Sequence, residues 1–192
     1  MSDIRAFIAL PIAAAVREEL AALIEAVRRP RDGTRWVRPD GIHLTLAFLG
    51  SIPETTVAAI DDALNTVAAE RAPFTIRTTA TGGFPTLRRP RVLWVGLEAS
   101  ADHPLQRLQA AVAGALVPIG HERDERPFRP HLTVGRVKEM SRAPEVGERV
   151  GAYRFPALTW HADRVHLMRS DLHPSGARYT VLREVLLTGD GG

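Results

Sequence analysis

Two short stretches of the chain place a histidine two residues ahead of a threonine: Ile42-His43-Leu44-Thr45-Leu46-Ala47-Phe48-Leu49-Gly50 and Pro130-His131-Leu132-Thr133-Val134-Gly135-Arg136-Val137. Each is a brief apolar run broken by polar residues in alternation, the pattern of a half-buried strand. Residues two apart on a strand share a face. His43 and Thr45 therefore point one way and Leu44 and Leu46 the other, and His131 and Thr133 repeat this against Leu132 and Val134. An imidazole beside a hydroxyl sets a proton-transfer group next to a hydrogen-bond donor. A pair of histidines from two such strands supplies a proton acceptor and a proton donor near neutral pH. In-line displacement at phosphorus needs the attacking and leaving oxygens on opposite sides. Histidines facing each other across a cleft meet that demand, and the threonines can donate to non-bridging oxygens where charge builds up.

The remaining histidines carry no such pattern. His103 falls near a helix start, His121 in a charged loop and His173 in a turn, all expected to be solvated. His161 and His166 lack a partnering threonine. Paired metal-ligand motifs such as His-Glu-x-x-His are absent. With no cysteine in the chain there is no disulfide, thiolate metal site or cysteine nucleophile. Metal-independent catalysis without a cofactor is expected.

The surrounding elements must bring the two strands to face a shared cleft. At 192 residues the chain suits one domain or two small lobes. A strand is expected over 4–10 and a helix from about 13 to 29, with Pro11 opening it and Val16, Leu20, Leu23, Ile24 and Val27 as its buried stripe. A second helix is expected from Pro53 to about Glu70, then strands over 74–81 and 92–97, and a third helix over 104–117. Residues 138–151, polar with Pro144 and two glycines, read as a mobile connection. Strands over 164–170 and 178–187 flank a turn at 172–176, and the tail 189–192 is expected to be disordered. The order strand–helix–motif strand, met twice, hints at two similar halves.

Nearly all the basic residues are arginine; Lys138 is the only lysine. Clusters fall at Arg28, Arg29, Arg31, Arg35 and Arg38, at Arg88, Arg89 and Arg91, and at Arg123, Arg126 and Arg129. Guanidinium forks suit phosphate, but an alanine- and arginine-rich composition also follows from codon usage. The net charge of +3 argues against a dedicated nucleic-acid coat. Nothing at the start resembles a signal peptide and no apolar run approaches membrane length, so a cytoplasmic protein is expected.

The paired motifs, with Arg5-Ala6-Phe7-Ile8-Ala9-Leu10, Arg35-Trp36-Val37, Gly83-Phe84-Pro85 and Phe128-Arg129-Pro130-His131, resemble the 2H phosphoesterases. They most resemble the LigT-type RNA 2′,3′-cyclic phosphodiesterases, and the likeness runs from about Ile4 to Leu187. It implies an α+β fold of two pseudo-symmetric lobes, each an antiparallel sheet flanked by helices, around a central cleft, with residues 1–192 forming one bilobal domain. It also implies hydrolysis of a 2′,3′-cyclic phosphate to the 2′-phosphate, with His43 as proton donor and His131 as proton acceptor. RNA ends or nucleotides bearing the cyclic phosphate are the expected partners, and a monomer is expected. Arg136 matches a basic position that would contact phosphate or base. Strict alternation turns it away from His131 unless a bend or bulge at Gly135 returns it. Phe48 matches the position of a nucleobase-stacking ring, although alternation would put it in the core with Leu44 and Leu46. Three readings stay open beside the first: action on 2′,5′-linked or other cyclic nucleotides, ligation of RNA ends by the reverse chemistry, and RNA-end binding without turnover.

Overall fold

The computed structural model describes residues 2–173 and 176–190. Thirteen elements alternate along it: β1 (Asp3–Leu10), α1 (Ala14–Val27), β2 (Thr34–Trp36), β3 (Leu44–Pro53), α2 (Val57–Ala69), β4 (Phe74–Phe84), β5 (Val92–Ala99), α3 (Pro104–Leu116), β6 (His131–Val137), α4 (Ala143–Ala152), β7 (Thr159–Ala162), β8 (Arg164–His173) and β9 (Gly176–Leu186). The strands join into one curled antiparallel sheet in the order β7-β4-β5-β6-β3-β1-β8-β9, with the short β2 also on β6. This is the α+β fold expected, with one refinement. The sheets of the two lobes are continuous, but β3 meets β6 through a single residue pair, Leu44↔Leu132.

The chain reaches this arrangement by exchange. Apart from the short strands β2 and β7, the path from β1 to β4 and again from β5 to β8 is strand, helix, motif strand, helix, strand. In each repeat the first two long strands pair with each other, β1 with β3 and β5 with β6, while the last crosses to the other lobe. Thus β4 pairs with β5, and β8 with β1. The helices follow suit: α2 and α3 pack on β3, β8 and β9, while α4 packs on β4 and against α1.

Helix faces explain the burial. Val16, Leu20, Leu23, Ile24 and Val27 of α1 are all buried, as are Val57, Ile60, Leu64 and Val67 of α2 and Leu105, Leu108, Val112 and Leu116 of α3. They meet the alternate strand residues Ile8, Leu10, Leu44, Leu46, Leu132 and Val134 in one apolar cluster. Because these strand residues face the helices, the histidines and threonines between them face the side the helices leave open.

Three expectations are corrected here. Residues 143–152 form a helix, not a mobile connection. Ala143, Val146, Gly147 and Val150 lie on its buried face at helical spacing, Pro144 occupies the first turn, and Glu145 and Arg149 stand at its two ends. Gly147 is there because the Leu87 carbonyl occupies the space a Cβ would fill, so the glycine marks close packing, not a break. Thr34–Trp36 and Thr159–Ala162 are additional strands, and β4 runs on to Phe84. Of the expected tail, Gly189 donates its N–H to the Arg71 carbonyl at 3.1 Å. Residues 174–175 of the expected turn and 191–192 of the tail lie outside the described residues. No described helix is long and apolar enough to cross a membrane.

Candidate active site

The pair Leu44↔Leu132 fixes the geometry of the site. In an antiparallel ladder the next positions along are His43 beside Thr133 and Thr45 beside His131. All four project on the face opposite the two leucines. The two histidines are thus diagonal neighbours across a local two-fold relation centred on one leucine pair. Both rings and both threonines are half-buried, and neither threonine hydroxyl is engaged with another described residue.

The same detail orients both rings. His43 Nδ1 lies 2.9 Å from the Gly41 carbonyl, and His131 Nδ1 lies 2.7 Å from the Arg129 carbonyl. In each case the acceptor belongs to the residue two earlier. A carbonyl only accepts, so Nδ1 carries the hydrogen in both rings and Nε2 is the nitrogen left for chemistry. Among the described residues each Nε2 lacks a protein partner, and neither is a fully buried atom. The Gly41 carbonyl comes from a single 3₁₀ turn at Pro39–Gly41 that leads into β3.

Aromatic rings enclose the imidazoles unequally. Phe7 stacks on His43 at 4.4 Å between centroids, and Tyr179 of β9 meets both rings edge-on at 5.2 Å. Phe84 meets His131 edge-on at 5.1 Å and is itself tilted against Trp94. Burial lowers the His43 pKa from 6.5 to about 4, with the Gly41 carbonyl opposing. His131 is also lowered, chiefly by burial; the Arg129 carbonyl opposes this and the charge of Arg136 adds to it. Both imidazoles are therefore neutral at pH 7 in the unliganded protein.

A single backbone device sets the face on which Phe48 and Arg136 lie. In β3, Ala9 pairs with Thr45 but Ile8 with Ala47, leaving Leu46 as an extra residue. In β6, Trp94 pairs with Thr133 but Leu93 with Gly135, leaving Val134 extra. Each is a β-bulge directly after the motif threonine. Their carbonyls are satisfied outside the strand ladder, Leu46 by the Gln109 side chain of α3 at 3.3 Å and Val134 by the Val37 N–H at 2.9 Å. Beyond each bulge the alternation is reversed. Phe48 pairs with Phe7 and Arg136 with Val92, so both return to the histidine face. The core reading of Phe48 is overturned: it is 74% exposed, with its ring 6.3 Å from Phe7. The bulge that returns Arg136 is at Val134, one residue before the glycine suspected.

Sequence reasoning missed Tyr179, and used Phe7 and Phe84 only as points of resemblance. Nothing local flags Tyr179, because it reaches His43 only once β9 has folded back beside β8. The other histidines do not join the site. His166 is held by Glu184 at 2.9 Å, and His103 stands in a left-handed conformation at the start of α3. His121, expected to be solvated, buries its Nε2 without a partner. Among the described residues no three His, Cys, Asp or Glu side chains are grouped as a metal would need.

A family model, the 2'-5' RNA ligase superfamily, matches residues 16–174. The chain belongs to that superfamily, the 2H phosphoesterases. A protein of Archaeoglobus fulgidus named RNA 2',3'-cyclic phosphodiesterase is 34% identical over 180 residues, covering 93% of this chain and 98% of that one. A protein of Thermus thermophilus with the same name is 36% identical over 182 residues, covering 91% and 87%. Among solved structures, one from Thermus thermophilus superposes with a TM-score of 0.80 at 32% identity, covering 97% of this 2H chain and 100% of its own. E. coli LigT in complex with 3'-AMP superposes at 0.73 with 25% identity, covering 97% and 99%.

Proposed function

We propose that this 2H protein hydrolyses 2′,3′-cyclic phosphate on RNA ends or nucleotides to the 2′-phosphate, with His43 and His131 as the acid–base pair and no metal ion. The observation that carries the reading is the lone β3–β6 pair, which puts two neutral, Nδ1-anchored imidazoles with free Nε2 atoms diagonally across one bridge. The names of the relatives and the 3'-AMP held by LigT agree with it.

In this reading His131 Nε2 takes a proton from water as its oxygen bonds to phosphorus. The bond from phosphorus to the 3′ oxygen breaks, and His43 Nε2 delivers the proton to that oxygen. His131 beside Arg136 is suited to the base, since a nearby guanidinium favours the neutral ring. His43 begins neutral, so its proton must be stabilised by the substrate: a phosphodiester anion against the imidazole raises the pKa that burial depresses. Thr45 and Thr133 donate to the non-bridging oxygens, worth about 3 kcal/mol for one well-placed donor. Arg136 adds positive charge on the same face, and Phe48 offers an exposed ring for a base.

The test is to incubate the protein with a 2′,3′-cyclic nucleotide and identify the product isomer. The 2′-phosphate is expected, with turnover unchanged by chelator. A 3′-phosphate product would reverse the acid and base roles, and activity lost to chelator and restored by metal would end the metal-free reading. The family's description favours one competitor, ligation of RNA ends by the reverse reaction. It would show as a 2′–5′ linkage when a 5′-hydroxyl strand is supplied.

A further inference from the structure

The function above does not use Arg35, yet its position sets it apart from the other arginines. It lies at the middle of β2, directly opposite Arg136 of β6. Partners directly opposite in an antiparallel pair share a face, so Arg35 stands with Arg136, Thr133 and His131 on the open side of the sheet. Like charges directly opposite one another destabilise a ladder. Elsewhere many arginines meet carboxylates: Arg149 with Asp32 and Glu145, Arg164 with Asp163 and Glu184, Arg169 with Asp171, Arg183 with Asp61. Among the described residues neither Arg35 nor Arg136 meets one, and both are exposed.

Nor does Arg35 simply extend away from the molecule. A Cβ added at Gly176, the first residue of β9, would lie 3.7 Å from the Arg35 guanidinium. The side chain therefore spans from the second lobe to the β8–β9 hairpin of the first. Arg136 is close enough to His131 to depress its pKa. Counting along β5, the Arg35/Arg136 level is three residues from the Leu44/Leu132 level, or roughly 10 Å. The Arg35 backbone thus stands about three residues along the sheet from the level at which the histidines and threonines would hold a phosphate, and its side chain runs on toward the hairpin.

We infer that Arg35, juxtaposed with Arg136, binds the phosphate one nucleotide upstream of the cyclic phosphate, and so makes the protein favour RNA ends over free cyclic mononucleotides. The inference rests on the proposed hydrolysis. Two arginines at opposite ladder positions, with no carboxylate partner among the described residues, are stabilised when a phosphate enters, and the fork geometry of arginine suits two oxygens of one phosphate. Such a contact positions the strand without reading its sequence.

The experiment compares kcat and KM on a 2′,3′-cyclic mononucleotide and on a short oligoribonucleotide ending in the same nucleotide, for wild type, Arg35→Ala and Arg35→Lys. Arg35→Ala should lower kcat/KM on the oligonucleotide roughly ten- to a hundredfold, nearly all in KM, as for a lost charged hydrogen bond. The mononucleotide should change less than about twofold, and Arg35→Lys should recover part of the loss. The fall of log(kcat/KM) with log salt on the oligonucleotide should become shallower by about 0.7. Thermal stability should not fall, because a like-charge pair has been relieved; a merely structural arginine would lower it. Equal losses on both substrates, or no loss on the oligonucleotide, would overturn the inference while leaving the proposed hydrolysis standing. If wild type turns over neither substrate, the hydrolysis fails and this inference goes with it.

Discussion

At the scale of single residues, the two imidazoles are alike in anchorage and unlike in surroundings. Both rest Nδ1 on the carbonyl two residues back, but among the described aromatic rings His43 is enclosed by Phe7 and Tyr179 while His131 meets Phe84 alone, edge-on. Two pH effects follow. In the proposed acid–base reaction one ring must be charged and the other neutral, so the free-enzyme profile of kcat/KM should peak midway between two depressed pKa values, below pH 6.5. The bound anion raises the acid, so kcat should peak at higher pH than kcat/KM. A kcat/KM maximum at pH 8 would contradict these surroundings. For stability the sign is set by the lowered pKa of His43. The folded protein binds its proton less readily than the unfolded chain, so the contribution is complete above about 6.5. It is lost as pH falls through the folded value of about 4. The loss is up to about 3 kcal/mol. Denaturant unfolding at pH 7 and pH 4 should show wild type losing that much more than His43→Gln; equal losses would contradict it.

At the scale of elements, the bulges after Thr45 and Thr133 convert a strand pattern into a site. The His-x-Thr alternation was legible because it is local. The positions of Phe48 and Arg136 were not, because a bulge is an insertion in the pairing and depends on which partner strand lies alongside. The helix at Ala143–Ala152 was hidden for a related reason: Gly147 and Pro144 look like breakers until Leu87 is seen to press on the one and the first turn to hold the other. That helix is tied to the turn before β2. Asp32 accepts from the Arg29 and Thr34 N–H groups, from Trp36 Nε1 at 3.3 Å and from Arg149 at 3.1 Å, and Arg149 also reaches the Val27 carbonyl. The Trp36 ring in turn packs on Gly135, 3.0 Å from where a Cβ would stand. Asp32→Ala strips four donors of an acceptor and leaves the half-buried Arg149 guanidinium with Glu145 as its remaining carboxylate partner, and should cost about 3 kcal/mol in denaturant unfolding. A loss under about 0.5 kcal/mol, the size typical of surface changes, would show that this carboxylate does not hold α1, β2 and α4 together.

At the scale of the whole molecule, each repeat lends its last strand to the opposite lobe, so neither lobe is complete from a contiguous half of the chain. Repetition was visible in the sequence as an order of elements; the exchange was not, since nothing in a strand's composition says which sheet it joins. For this reason the chain should unfold as one unit. All three tryptophans, Trp36 on β2, Trp94 on β5 and Trp160 on β7, lie in the second lobe, while far-UV circular dichroism reads helices of both. The two signals should share one midpoint in denaturant; separate midpoints would mean the lobes are independent. The β3–β6 pairing brings His43 and His131, distant in sequence, to one bridge, and the proposed chemistry depends on that juxtaposition. Steady-state hydrolysis of a 2′,3′-cyclic nucleotide by wild type, His43→Ala, His131→Ala and the double variant tests it most directly. Each single change should lower kcat by roughly 10²–10⁴, and the double variant should be little worse than either, as for groups acting as a unit. A single variant that keeps wild-type turnover, or losses that multiply in the double, would contradict the paired site.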